Sequence, residues 1–173
     1  MFTISALNPK TILTLLLLGS APLLLIAGLL YAFAHQGKGS LAPSIGAVGI
    51  AVLLAILALW QLSVVRIEVK ADTLRVGGGL YRVSVPLSEV RRHAVTRRDP
   101  ADPSQMLGLR TNGIGMPGLA LGWFRAKSGG KKIFAAVTEG ERVLVIPTTA
   151  GYSILVSPDE PDALLETLAT APE

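Results

Sequence analysis

The chain has no cysteine among its 173 residues, so disulfides, thiolate metal sites and cysteine nucleophiles are all excluded. It has only two histidines, His35 and His93, and no carboxylate cluster that would complete a metal site around either. No metal and no cofactor are therefore expected. Acidic residues are missing altogether before Glu68, and of the 16 Lys and Arg residues only Lys10 and Lys38 precede Arg66. What fills this charge-poor front is apolar. Half of the chain is hydrophobic and its mean hydropathy is +0.53, too high for an ordinary soluble domain.

Two uncharged runs make up that front. Thr11 to Phe33 and Leu41 to Val65 carry no charge. At about 1.5 Å per residue each exceeds the roughly 30 Å of a bilayer's hydrocarbon core. The link between them, Ala34 to Ser40, is short, so the two helices must be antiparallel neighbours. Ala47, Ala51 and Ala55 recur every fourth position and offer a small face for close helix approach. Pro22 falls mid-span and predicts a kink. Only Lys38 lies in the link, whereas Arg66, Lys70, Arg75 and Arg82 follow the second run. Positive charge stays on the cytoplasmic side, so both termini are expected there, in a multi-pass protein of the cell inner membrane or plasma membrane. Ala32-Phe33-Ala34 resembles a signal-peptidase site, but the apolar run before it is well beyond the ~7 to 15 residues of a signal core, so an uncleaved chain is expected.

After Val65 the pattern changes to alternation with period two, the signature of strands with one buried face. Ile67 and Val69 alternate with charged neighbours, Ala71-Asp72 supplies a turn before Leu74 and Val76, and Tyr81, Val83 and Val85 follow Gly77-Gly78-Gly79. Val90 to Thr96 is a weaker strand. Leu119 to Lys127, Lys131 to Thr138, Arg142 to Thr148 and Tyr152 to Val156 complete the series, with turns at Glu139-Gly140 and Ala150-Gly151. About seven strands point to an all-β sandwich or barrel. Ser157-Pro158-Asp159-Glu160 reads as a capping box opening a terminal helix, with Glu160 capping Pro161 as the other possible start. Leu164, Leu165 and Leu168 form its apolar stripe. The chain thus divides into a two-helix membrane anchor, residues 1–65, and a cytoplasmic domain, residues 66–173.

Seven short strands closed by one helix look like the pleckstrin-homology barrel. Arg110-Thr111-Asn112-Gly113, Pro117-Gly118, Gly122-Trp123-Phe124 and Tyr152 through Ser157-Pro158 resemble the bacterial PH domain family that occurs behind two N-terminal membrane helices. The resemblance runs from Val65 to Leu168. It implies a membrane-tethered, PH-like barrel with a C-terminal capping helix, used for binding or scaffolding. Eukaryotic relatives bind phosphoinositides through a basic-x-Arg pattern near the first strands. Lys70 and Arg82 stand in part of that pattern, but Ser84 occupies the place of the final Arg.

No motif reads as a catalytic site. Gly113-Ile114-Gly115-Met116-Pro117-Gly118 spells a dinucleotide-binding fingerprint, but no helical pattern follows it, so the glycines are read as serving a long loop turning into a strand. His93 beside Arg91 and Arg92 has no carboxylate to orient it as a base and is read as a strand residue. Asp99 and Asp102 flank prolines in a loop, where turn formation explains them. The class that competes with a binding module is a membrane-bound enzyme with its site in the loop of residues 110–124.

Charge is more telling. Arg66 to Lys132 holds 13 basic against 5 acidic residues, whereas Ile133 to Glu173 holds one Arg against 7 acids. Arg91, Arg92, Arg97 and Arg98 are the densest cluster, and beside a bilayer they are candidates to contact anionic headgroups or a ligand. A protein partner or a membrane oligomer is the other class of partner. Aromatics do not interleave these residues, so nucleic acid is not expected.

Overall fold

In the computed structural model, the described residues are 2–3, 9–37, 42–98, 103–116, 118–138 and 142–171. They fall into two compact units, Pro9–Ser63 on the one hand and Met1–Asn8 with Val64–Glu173 on the other. Lys38, Asp99, Asp102, Pro117 and the Glu139-Gly140 turn lie outside the described residues.

The first unit is helical. α1 (Pro9–His35) has 27 residues and continues through Pro22, and α2 (Ala42–Ser63) has 22. At 1.5 Å per residue they are about 40 and 33 Å long. The two pack against each other. On α2 the described side chains that are not exposed are Ser44, Ala47, Ala51, Ala55 and Gln61, a single stripe at helical spacing. α1 answers with Ser20, Leu23, Ala27, Leu30 and Ala34. Small residues let the backbones approach. Away from this seam large apolar side chains stay exposed, among them Leu25, Leu29, Ile50, Leu53 and Ile56. Ala42–Gln61 is long and apolar enough to cross a membrane, with a mean hydropathy of 2.4, while the apolar stretch found within α1, Ser20–His35, is shorter.

The second unit is a two-sheet sandwich with a C-terminal helix. Its first sheet is antiparallel in the order β1 (Phe2–Thr3), β2 (Arg66–Lys70), β3 (Thr73–Gly78), β4 (Tyr81–Pro86). Ala71 and Asp72, both at positive φ, make the β2–β3 turn, the left-handed geometry that matches the twist of a tight hairpin. Ile67, Leu74, Val76, Val83 and Val85 are buried and their strand neighbours are not, which is the alternation expected of a half-buried sheet.

The second sheet is less simple than a meander. Its order is β5 (Thr96–Arg98), β9 (Val143–Pro147), β10 (Tyr152–Val156), β8 (Lys132–Thr138), β7 (Leu119–Ala126), β6 (Leu107–Met116). β10 lies between β8 and β9, parallel to the first and antiparallel to the second. Ile133 through Thr138 and Ile154 through Val156 are buried on both faces, as central strands must be. The short helix α3 (Pro103–Met106) precedes β6, and α4 (Pro161–Thr170) closes the chain with Leu164 and Leu168 at 0% and 1% exposure.

Several expectations are corrected by these elements. The described strands after Val65 number nine rather than about seven, β1 before the helices adds a tenth, and their ladders form two sheets rather than one closed barrel. The largest difference is β6, a ten-residue strand where glycines suggested a loop. Its irregular register at Arg110, with Gly113 at φ 151°, breaks the apolar alternation that marks ordinary strands. Residues 110–124 are thus mostly a β-hairpin, and no helix follows Gly118, so the dinucleotide geometry is not formed. Val90 to Thr96 is not one strand: Val90 makes a single bridge to Thr148, Arg92–Ala94 forms a 3-10 turn that places His93 in an exposed position, and β5 begins only at Thr96. α4 starts at Pro161 with Glu160 as its cap, so the first capping box does not operate. Leu165 is only half-buried.

Candidate functional site

The four arginines of the basic cluster enter the fold by different routes. β4 ends at Pro86, the 3-10 turns follow, and the Arg91 amide donates to the Pro147 carbonyl at 2.9 Å. Arg92 is half-buried and its guanidinium donates to the Ala171 carbonyl just beyond α4. On β5, Arg97 pairs across the ladder with Leu144 and Arg98 with Val143, so the two side chains leave on opposite faces. Arg97 makes a 2.8 Å ion pair with Asp162 in the first turn of α4. Arg92 and Arg97 thus both bond to the terminal helix or the residue just beyond it, although only Arg92 is half-buried and Arg91, Arg97 and Arg98 are exposed. Lys70 and Arg82 do not converge: the register puts Lys70 at the β2–β3 turn and Arg82 opposite Gly77 at the far end.

The residues carrying the sequence resemblance gather on the β6–β7 hairpin and at the end of β10. Arg110 faces Phe124 and Asn112 faces Trp123 across the ladder. Gly113 and Gly122 face each other so closely that a Cβ on either would sit 2.3 to 2.5 Å from a backbone oxygen of the partner strand. Only glycine fits both positions. Gly118, at φ 78°, turns the hairpin. Ser157 and Pro158 are buried where β10 gives way to α4.

Beside that hairpin lies an open pocket of about 710 Å³, lined by Thr111, Asn112, Trp123, Arg125, Lys132, Ala150, Gly151 and Tyr152. Four strands build it. Trp123 and Arg125 share a face of β7 because they are two residues apart, Arg125 pairs with Lys132 on β8, and Lys132 pairs with Tyr152 on β10. The Trp123 indole meets Phe134 and Tyr152 edge to face, each with ring centroids 5.2 Å apart, a geometry favoured by the ring quadrupoles. The Thr111 hydroxyl donates to the Trp123 carbonyl at 3.0 Å. Burial, and after it the Glu89 carboxylate, push the Tyr152 phenol above its ordinary value, so it stays protonated at neutral pH. The lining carries no carboxylate and no imidazole. Among the described residues no group of three or more His, Asp or Glu side chains could hold a metal ion.

Arg125 and Lys132 were not singled out by sequence reasoning. The available signal was positional: an aromatic and a cation at i and i+2 of one strand, followed by a cation opening the next.

A family model for the bacterial PH domain matches residues 65–171, more than half of the chain. No curated protein and no solved structure matches it.

Proposed function

Because the chain belongs to the bacterial PH domain family, we propose that it is a binding or scaffolding module held at the inner face of a cell membrane by α1 and α2, with both termini cytoplasmic. PH domains are generally binding modules. The observation that carries the topology is the pairing of β1 with β2, Phe2 opposite Ile67 and Thr3 opposite Arg66. A ladder cannot form across a bilayer, so the segment before α1 and the segment after α2 belong to one compartment. That requires an even number of crossings between them. A single crossing does not satisfy it; two helices do, and it is the apolar surface of the helices, not the ladder, that argues for two crossings over none. Cleavage after Ala34 would also remove β1 from its ladder. The exposed apolar surface around both helices supports the same reading, because in water it would be costly and in lipid it is matched.

The basic cluster belongs to this proposal. Arg91 and Arg98 turn toward anionic headgroups, and Arg92 and Arg97, held by α4, keep that turn and strand in place. Each cation close to an anionic leaflet contributes about 1 kcal/mol, enough to orient a domain already tethered. Alkaline extraction of membranes, together with reporter fusions at the C-terminus, tests the anchor. Retention in the membrane fraction with a cytoplasmic C-terminus is expected. Release into the supernatant, or an extracytoplasmic reporter, overturns the reading.

A further inference from the structure

We propose that the pocket between β6, β7, β8 and the start of β10 binds an organic phosphate, its anionic group on Arg125 and Lys132 and its apolar body on Trp123 and Tyr152. The proposal concerns the β domain alone and does not depend on how the chain is anchored.

The charge arrangement comes first. Arg125 and Lys132 are direct cross-strand partners, with strands about 4.8 Å apart. Like charges directly opposite on a ladder destabilise it, and an anion bridging the two removes the repulsion. A phosphate monoester carries about −1.5 to −2 at neutral pH, which matches two cations better than a carboxylate does. The guanidinium also presents a planar fork that fits phosphate oxygens. In the structure Arg125 makes a long bond of 3.4 Å to the Gly130 carbonyl, a small part of its five-donor capacity.

Shape and apolar surface come next. A pocket of about 710 Å³ lies within the range of small-molecule sites, roughly 300 to 1,000 Å³. Ala150 and Gly151 leave its far wall without a large side chain. Trp123 is half-buried and braced by two rings, so it offers apolar surface already ordered before a ligand arrives. The Asn112 amide adds a donor. Glu89, which acts on the Tyr152 phenol, disfavours an anion there and leaves the cation pair as the seat of the charge. A bare inorganic anion would use the cations and leave the aromatic wall empty.

The chain has two tryptophans, Trp60 and Trp123, so a Trp60→Phe variant makes Trp123 the sole indole reporter. The purified full chain in detergent is titrated, at constant ionic strength, with phenyl phosphate and separately with mixed micelles containing phosphatidic acid. A saturable change in Trp123 emission is expected from at least one. Replacing Arg125 and Lys132 by Ala, both exposed and therefore dispensable for the core, should weaken it at least about tenfold, the loss expected when charged hydrogen bonds go. A response to phenyl phosphate identifies a soluble ligand, and a response to the lipid micelles alone identifies a headgroup; either supports the site. No saturable response to either probe, or an equal response in the Ala variant, overturns it. Circular dichroism of the variant separates lost binding from lost fold, and Trp123→Leu read by phenyl phosphate calorimetry gives a second test independent of fluorescence.

Discussion

The hydroxyl of Ser157 accepts the backbone N–H of Thr138 at 2.9 Å and lies 3.2 Å from the Thr138 hydroxyl, with both residues buried. This joins the exit of β8 to the exit of β10, just beyond their last ladder pair, Val156 with Ala136. Ser157 is thus a bracket between parallel strands rather than a helix cap. Ser157→Ala leaves a buried N–H without its partner, which costs about 1 to 3 kcal/mol. Chemical denaturation of the full chain in detergent should show that loss. An unchanged midpoint would mean that water or the Thr138 hydroxyl replaces the bond.

The terminal helix gives a graded prediction. Leu164 and Leu168 are fully buried and Leu165 is half-buried. Truncating either of the first two to Ala should cost about 2 to 5 kcal/mol, and Leu165→Ala clearly less. Limited proteolysis reads the order. Equal sensitivity of all three variants would show that the helix is not seated as described.

For the basic cluster the structure separates two roles that sequence proximity merges. The Arg97–Asp162 pair is solvent-exposed on the Asp162 side, so Arg97→Ala should change stability by less than about 1 kcal/mol. Arg91→Glu with Arg98→Glu should leave stability unchanged and increase labelling of this face by a water-soluble reagent in native membranes. High salt should mimic the change, because screening cuts the reach of surface charge to below ~10 Å. Equal labelling of wild type and variant at both salt concentrations would exclude a headgroup contact for these two arginines.

Tyr152 gives a pH signature. Its phenol is held above the ordinary 10.0 by burial first and Glu89 second. A raised value in the folded state means a stability contribution present below the unfolded value and lost as pH rises from there through the folded value. With Tyr31 and Tyr81 changed to Phe, phenolate absorbance should appear above pH 10.0 in the folded chain. Glu89→Gln should lower that titration without restoring the ordinary value, since burial persists. A titration unmoved by Glu89→Gln would remove the carboxylate from the pocket's electrostatics.

Local chemistry alone determined much of this protein. The two apolar helices follow from uncharged runs. β2, β3, β4, β7, β8, β9 and β10 follow from short apolar segments bounded by turn residues, and Pro161 behind Glu160 marks one of the two helix starts the sequence allowed. These signals act over a few residues, so they survive in one dimension.

Tertiary structure alone decided the rest. The insertion of β10 between β8 and β9 depends on which buried faces meet, and a turn between two strands does not reveal a third strand entering between them. β6 is a strand because β7 offers it a ladder, although Gly113 and the register shifts at Arg110 give it no local preference for one. The pairing of Arg92 with Ala171 and of Arg97 with Asp162 spans 79 and 65 residues of sequence, beyond the reach of any spacing rule. The pocket assembles from four strands for the same reason. Trp123, Arg125, Lys132 and Tyr152 are ordinary strand residues until the register sets them side by side.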